Sequence, residues 1–355
     1  MRAFYFYIGC ILVGAAFFGY AHWIGNDYLF FAGYTVLQFI VLATAWNILG
    51  GYCGYVNFGS AAFFAAGAYS SVALHKLGAN IDRYFPESLA GIVKLVMPLN
   101  IPTLIIFGGI VSGLIGLGTG YLTLRLRGAF FAIATLALAV VLQTMIVNWD
   151  FVGGSRGAYI IRPAEVPIFG NYIRYLFAVM IVLSIVALAA ARIIEQSRLG
   201  YGFATIRDDE LAAEACGVPT LRLKLIATTI SGALMGMAGA PFPYYIGYLE
   251  PSSAFGLAYA VNSIAMPMIG GTTSWVGPLV GALLLGSAQQ YITVTISSAV
   301  GVLVVGVMLI VFVIAAPKGI VGLVQDYMRA GAKADGTPTW RSRLAAFANM
   351  RPGAR

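Results

Sequence analysis

The chain has 355 residues, 60% of them hydrophobic and 10% charged, with a formal net charge of +8 and a mean hydropathy of +0.87. An ordinary soluble domain carries roughly 25% charged residues, so this composition excludes a globular cytosolic enzyme and points to a polytopic membrane protein. The three cysteines, Cys10, Cys53 and Cys216, stand far apart without CxxC or Cys/His spacing, which argues against a disulfide framework and a zinc site.

A membrane-spanning helix needs about 20 mostly apolar residues. On that ruler ten stretches are candidates, at about 3–22, 28–49, 55–76, 101–122, 129–149, 173–193, 223–245, the short 256–270, 276–296 and 299–316. The first follows Arg2 and ends near Gly19-Tyr20-Ala21, as a signal peptide would. Its apolar run is longer than an h-region of about 7–15 residues, so it reads as the first membrane helix. The third and eighth are the weakest. Residues 50–60 are Gly-rich and polar, and 256–270 carries Asn262 and Pro267, so both are candidates for broken or re-entrant helices, which survive only where protein or a watery cavity surrounds them.

Lys and Arg set the orientation. With the N-terminus inside, 15 of the 21 basic residues fall on the cytoplasmic side, among them Arg127, Arg207 and Lys224, and 6 on the other, among them Arg83 and Arg162. That bias places both termini in the cytoplasm. The apolar, membrane-spanning part covers 1–323, with a cytoplasmic loop at 195–222. Residues 324–355 are basic and rich in Gly, Pro and Ala, which predicts a flexible cytoplasmic tail near anionic headgroups.

Enzyme signatures fail. There is no GxxxxGK[ST], so the chain cannot cradle ATP phosphates in a P-loop. Gly153 to Gly157 reads G-x-S-x-G, but a nucleophile elbow needs a strand–turn–helix and a downstream His, whereas the only histidines, His22 and His75, lie upstream. No catalytic residue, metal ligand or cofactor site is assigned. Glycines four apart, Gly109/Gly113, Gly116/Gly120, Gly232/Gly236 and Gly277/Gly281, let helix backbones approach closely in lipid. No span carries Asp, Glu, Lys or Arg near its middle, which disfavours a proton-coupled carrier. Neutral polar residues are present, and Asn47, Asn57, Ser60, Gln143 and Asn262 are candidates either for interhelical hydrogen bonds or for a path taken by a small polar solute.

The loop stretch "IRDDELAAEACGVP", residues 206–219, predicts a short helix over 208–217. Asp208 suits its N-cap, Asp209 and Glu210 its first turn, and Gly217 with Pro219 its end. Glu210 and Glu214 are four apart and share a face with Ala213 and Gly217. Such a helix is too short to stand alone. Spacing leaves open whether it docks on a partner or folds back onto its own bundle.

"RDDELAAEACGV" (207–218) resembles the cytoplasmic EAA-type loop of ABC importer permeases in its branched-chain amino acid form, with Leu211 where the wider pattern has Glu. Further stretches are similar to the same family: "LGGYCGYVNFGSAAFFAAGAYSS" (49–71), "LRLRGAFFAIATLALA" (124–139), "FVGGSRG" (151–157), "MIGGTTSWVGPLVGALLLG" (268–286) and "PKGIVGL" (317–323). Ser60 stands where His is common in the family, and Pro267 where an aliphatic residue is usual.

The resemblance is to the LivM-type subunit of branched-chain amino acid importers. It implies an all-α permease of about ten membrane helices in two pseudo-related halves. Its implied partners are a related permease subunit, two cytoplasmic ATPases holding ATP and Mg, and a periplasmic or lipoprotein solute-binding protein in a bacterial inner membrane. Asp208, Asp209, Glu210, Ala213, Glu214 and Gly217 would then couple to the ATPase. Urea, short amides and aromatic acids remain alternative solutes, and a stand-alone channel or a polytopic membrane enzyme remains an alternative class.

Overall fold

Long apolar runs have no way to satisfy their backbone in lipid except by closing hydrogen bonds within the segment, and here they do so as helices. The computed structural model describes residues 2–79, 81, 100–162, 165–166, 170–315 and 319–325. Almost all of the 324–355 tail, and Arg83, lie outside the described residues.

The helices are α1 (Arg2–Ile24), α2 (Asp27–Asn47), α3 (Ser60–Ala79), α4 (Ile101–Thr123), α5 (Ala129–Val147) and α6 (Tyr172–Glu195), then two short ones, α7 (Arg198–Asp208) and α8 (Glu210–Ala215). They continue as α9 (Thr220–Gly239), α10 (Phe242–Ile246), α11 (Pro251–Ala254), α12 (Leu257–Gly270), α13 (Val276–Thr295) and α14 (Ser298–Ala315). Each of the ten apolar stretches therefore contains a helix. Six helical segments among the described residues are long and apolar enough to cross a membrane: Asp27–Gly50, Ile101–Thr123, Ala129–Val147, Tyr172–Glu195, Thr220–Ile246 and Pro251–Gly270.

Side-chain caps set several boundaries. Asn26 accepts from Tyr28 N ahead of α2, Asn171 from Ile173 N ahead of α6, and Ser197 from Leu199 N and Gly200 N ahead of α7. The third stretch departs from its expected limits, because α2 runs into a π-turn over Ile48–Tyr52 and α3 begins only at Ser60. Gly54, at φ +79°, turns the intervening chain. The eighth stretch is an unbroken helix with Pro267 inside it, ending three residues later at Gly270.

The glycine pairs sit where helices touch. A Cβ on Gly109 would lie 2.7 Å from Met237 Cγ, one on Gly113 3.3 Å from Ala233 Cβ and one on Gly116 3.0 Å from Thr228 O, which seats α4 on α9. From the α9 side, a Cβ on Gly236 would lie 2.2 Å from Ser112 Oγ. Gly277 and Gly281 press on Gly271 O and Met266 O in the same way, joining α13 to α12. Ser112 Oγ donates to Phe63 O at 2.8 Å, tying α4 to α3 as well.

Outward faces are apolar instead of charged. Phe130, Ile133, Val140 and Met145 on α5, Ile106, Ile110 and Leu114 on α4, and Leu303, Ile310 and Ile314 on α14 are all exposed. Such a belt would aggregate in water and suits a lipid-facing surface. The small strands lie at the opposite end from the α7–α8 loop. β1 (Ala158–Tyr159) pairs with β4 (Tyr248–Leu249), and β2 (Glu165–Val166) pairs with β3 (Gly170–Asn171), both antiparallel. The Gly153–Gly157 segment holds one 3₁₀ turn, Gly154–Arg156, directly after another at Asp150–Val152, with φ positive at Gly153, Gly154 and Gly157. It is a glycine turn without the strand–turn–helix of a nucleophile elbow.

Candidate functional site

At the α8 end the chain gathers the charged residues that its spans exclude. The cap of α8 is shifted by one residue from the expected position. Asp208 is the last residue of α7, and Asp209, in extended conformation, accepts from Ala212 N at 3.0 Å. Asp208 instead faces Arg207, 3.4 Å from its Nε. The helix is six residues long, shorter than the expected 208–217. It closes through paired bonds, Val218 N to Ala213 O at 3.0 Å and Gly217 N to Glu214 O at 2.9 Å. Gly217 supplies the left-handed φ of +83° that this C-terminal closure requires.

Only Ala213 of α8 is buried. Leu211, Ala212, Glu214, Ala215, Cys216 and Gly217 are exposed, and nothing lies within 4 Å of a Cβ on Gly217. The result is a small-residue surface, with Leu211 64% exposed, standing away from the bundle.

Its two glutamates point back into the chain. Glu210 Oε1 accepts from Lys224 Nζ at 2.7 Å and lies 3.6 Å from Arg127 Nε, and Glu210 Oε2 accepts from the Tyr55 hydroxyl. Glu214 accepts from Arg127 Nη2 at 3.0 Å and from Thr220 Oγ1 at 2.8 Å. Burial pushes the Glu210 carboxyl up. The hydrogen bonds from Lys224 and Tyr55, with the charges of Lys224 and Arg127, outweigh burial and hold it below the usual carboxylate range. It is therefore ionised at neutral pH. Burial and the Glu210 contact raise Tyr55, so its phenol keeps the proton it donates.

Lys224 was visible in the sequence only as one charge among 21. Among the described residues it is the single charged side chain that is fully buried, 3% exposed. Its ammonium also donates to the Tyr55 hydroxyl and to Leu124 O, both at 3.1 Å. Three donors thus meet three acceptors. A second cluster lies nearby, where Glu195 Oε2 accepts from Trp275 N at 2.7 Å and from the Tyr52 hydroxyl at 3.3 Å.

The polar residues of the spans are mostly internal. Asn47, Asn57, Ser60 and Asn262 are all buried, and Gln143 is half-buried on α5. Ser60 Oγ and Ser263 Oγ are 2.9 Å apart, which brings the start of α3 against α12 beside Asn262. Asn57 is held at both ends: Trp46 Nε1 donates to its carbonyl at 2.8 Å, and its Oδ1 accepts from Gly59 N at 2.7 Å. Phe58 N donates to Thr135 Oγ1 on α5 at 3.2 Å. Asn47 lies apart from these, against Gly51 at the end of α2. Ser263 and Thr135, which complete the cluster, were not marked in the sequence because a lone hydroxyl in an apolar helix carries no spacing signal.

Residues 28–313 match the family model described as branched-chain amino acid transport system / permease component. The chain is 24% identical over 316 residues to the high-affinity branched-chain amino acid transport system permease protein LivM of Salmonella typhimurium, covering 82% of this chain and 69% of that one, and equally to LivM of Escherichia coli. It is also 24% identical over 273 residues to the probable branched-chain amino acid transport permease protein LivH of Methanocaldococcus jannaschii, covering 73% of this chain and 82% of that one. No solved structure matches it significantly. With most of its length matched, its apolar helices and its LivM relatives, the chain belongs to the branched-chain amino acid transport permease family and is a multi-pass membrane protein of transport, not an enzyme family member.

Proposed function

We propose that the chain is the LivM-type membrane subunit of an ATP-driven importer for branched-chain or related amino acids, built on about ten spans in two related halves. A related permease would complete the path. A solute-binding protein would deliver the substrate on the outer side, and two cytoplasmic ATPases would handle ATP and Mg. Both termini would face the cytoplasm of a bacterial inner membrane.

The observation that carries this reading is the α8 surface. A capped helix of six residues, too short to persist alone, is fixed from behind by Glu210, Ala213 and Glu214 and presents Leu211, Ala212, Ala215 and Gly217 outward. Small residues around one apolar anchor suit a groove on a partner. The segment 208–217 is accordingly the coupling element that docks on the ATPase. Asn57, Ser60 and Asn262, close to the α3–α12 contact, together with Asn47 and Gln143, are the path candidates, reached by solute when the helices part during the cycle.

The test is ATP-driven uptake and ATPase retention in the co-expressed complex. Ala212→Trp is the preferred variant, because Ala212 is helical and exposed, whereas a side chain at Gly217 would also strain a positive φ. Loss of both uptake and ATPase retention, with the permease still inserted, is the expected outcome. Normal values for both would remove the docking role. Ligand binding by the co-encoded solute-binding protein decides between branched-chain amino acids, urea, short amides and aromatic acids.

A further inference from the structure

We propose that Lys224 is a positioning residue of the transport cycle, the strut that carries movement of α8 into the membrane helices. This rests on the docking role assigned to α8.

The argument begins with what one ammonium joins. Its three bonds go to three separate segments: Glu210 on α8, Tyr55 in the loop between α2 and α3, and the Leu124 carbonyl at the end of α4. The ammonium also sits 4.7 Å from the centre of the Tyr55 ring. Lys224 itself belongs to α9, which packs against α3 and α4 through glycine contacts. Severing one partner of a buried pair leaves the other charge uncompensated, so the four segments move together or the cluster breaks.

From Tyr55 the connection continues without a slack joint. Two residues on, Asn57 is clamped by Trp46 of α2 and by Gly59 N. Phe58 is bonded to Thr135 of α5, and Ser60 meets Ser263 of α12. A displacement of α8 therefore reaches the start of α3, Thr135 on α5 and the polar contact on α12 through the short chain from Tyr55 to Ser60 and the hydrogen bonds along it. Such discrete, packed contacts transmit two-state motion.

This assignment gives Glu210 a part different from that of the exposed small residues. Ala212, Ala215 and Gly217 hold the ATPase, while Glu210, Lys224 and Tyr55 pass on what the ATPase does. Removing the strut should leave an importer that binds its ATPases and hydrolyses ATP but does not move solute.

The experiment uses the complete importer in proteoliposomes, with Lys224→Met, Glu210→Gln and Tyr55→Phe compared with Ala212→Trp. For each, ATPase retention, ATP hydrolysis and solute uptake are measured. Lys224→Met and Tyr55→Phe, which lie outside the docking segment, are expected to retain ATPase normally, and all three variants to lower the ratio of uptake to hydrolysis by at least about tenfold, the scale of one lost charge-assisted bond. A general folding defect would lower both activities together and leave that ratio unchanged. Tyr55→Phe removes one hydroxyl and decides the matter if Lys224→Met does not insert. An unchanged ratio in Tyr55→Phe and Glu210→Gln overturns the strut, as does loss of ATPase retention in step with uptake in Tyr55→Phe. Retention of ATPase by Ala212→Trp would instead overturn the docking surface, a separate failure.

Discussion

Replacing Gly67 with alanine tests the packing that holds α3, α4 and α9 together. A Cβ at this position would lie 2.0 Å from Gly236 O and 2.6 Å from both Gly236 Cα and Gly236 C. Ordinary contact begins at 3.4 Å, so the new carbon is about 1.4 Å too close to a backbone that has no rotamer with which to yield. Nor can α9 recoil toward α4, because Gly236 itself has room for nothing beside Ser112 Oγ and Gly108 O. The helices must separate, and lipid offers no hydrophobic force to draw them back. Overpacking of this kind costs about 1–3 kcal/mol, and a clash with backbone on both sides belongs at the upper end. At about 2–4 °C per kcal/mol, the purified protein in detergent should melt about 6–12 °C lower. Gly118→Ala is the control, since nothing lies within 4 Å of its Cβ, and it should melt like the parent. A Gly67→Ala melting point within about 2 °C of the parent, less than the shift of a single kcal/mol, would refute the reasoning.

Asp209→Ala removes the α8 cap and should cost that helix about 1 kcal/mol, seen as faster amide exchange at Ala212, and unchanged exchange would deny the cap. Cysteines placed at Asn57, Ser60 and Asn262 should be protected from a small polar thiol reagent at rest, as their burial requires, and become labelled during ATP-driven turnover; protection of all three under turnover would remove them from the path. Reporter fusions after Arg127 and Arg207 should signal from the cytoplasm and one after Arg162 from outside, and an external signal at Arg207 would overturn the orientation read from the basic residues.

Periodic features were the legible ones. Apolar length located a helix in each of the ten stretches, and glycines four apart found the α4–α9 and α12–α13 contacts, because both signals repeat along one segment. The capping error at Asp208 arose because two adjacent aspartates suit the same role, and only the extended φ, ψ of Asp209 separates them. Glu210 was correctly placed on a short helix, yet its partners Lys224 and Tyr55 are 14 and 155 residues away, a pairing that no local pattern encodes. Gly67 was missed for the same reason: its neighbour is α9, and its sequence offers no second glycine at helical spacing. The clearest signal available for Lys224 was its depth, two residues beyond Arg222 and inside the apolar run of a long helix, where an unpaired charge would be costly.

Cys216 provides the most direct measurement of the central claim, that α8 is the contact through which ATPase subunits act on this chain. It is exposed beside Gly217, whereas Cys53 is buried, so it accepts a thiol-directed reagent with a photoreactive second arm, which needs no particular residue on the partner. In native membranes holding the complete importer, with Cys10 replaced by alanine, crosslinking from Cys216 should yield a product of permease and ATPase that disappears in Ala212→Trp. Efficient modification of Cys216 with no ATPase in the product would contradict the account.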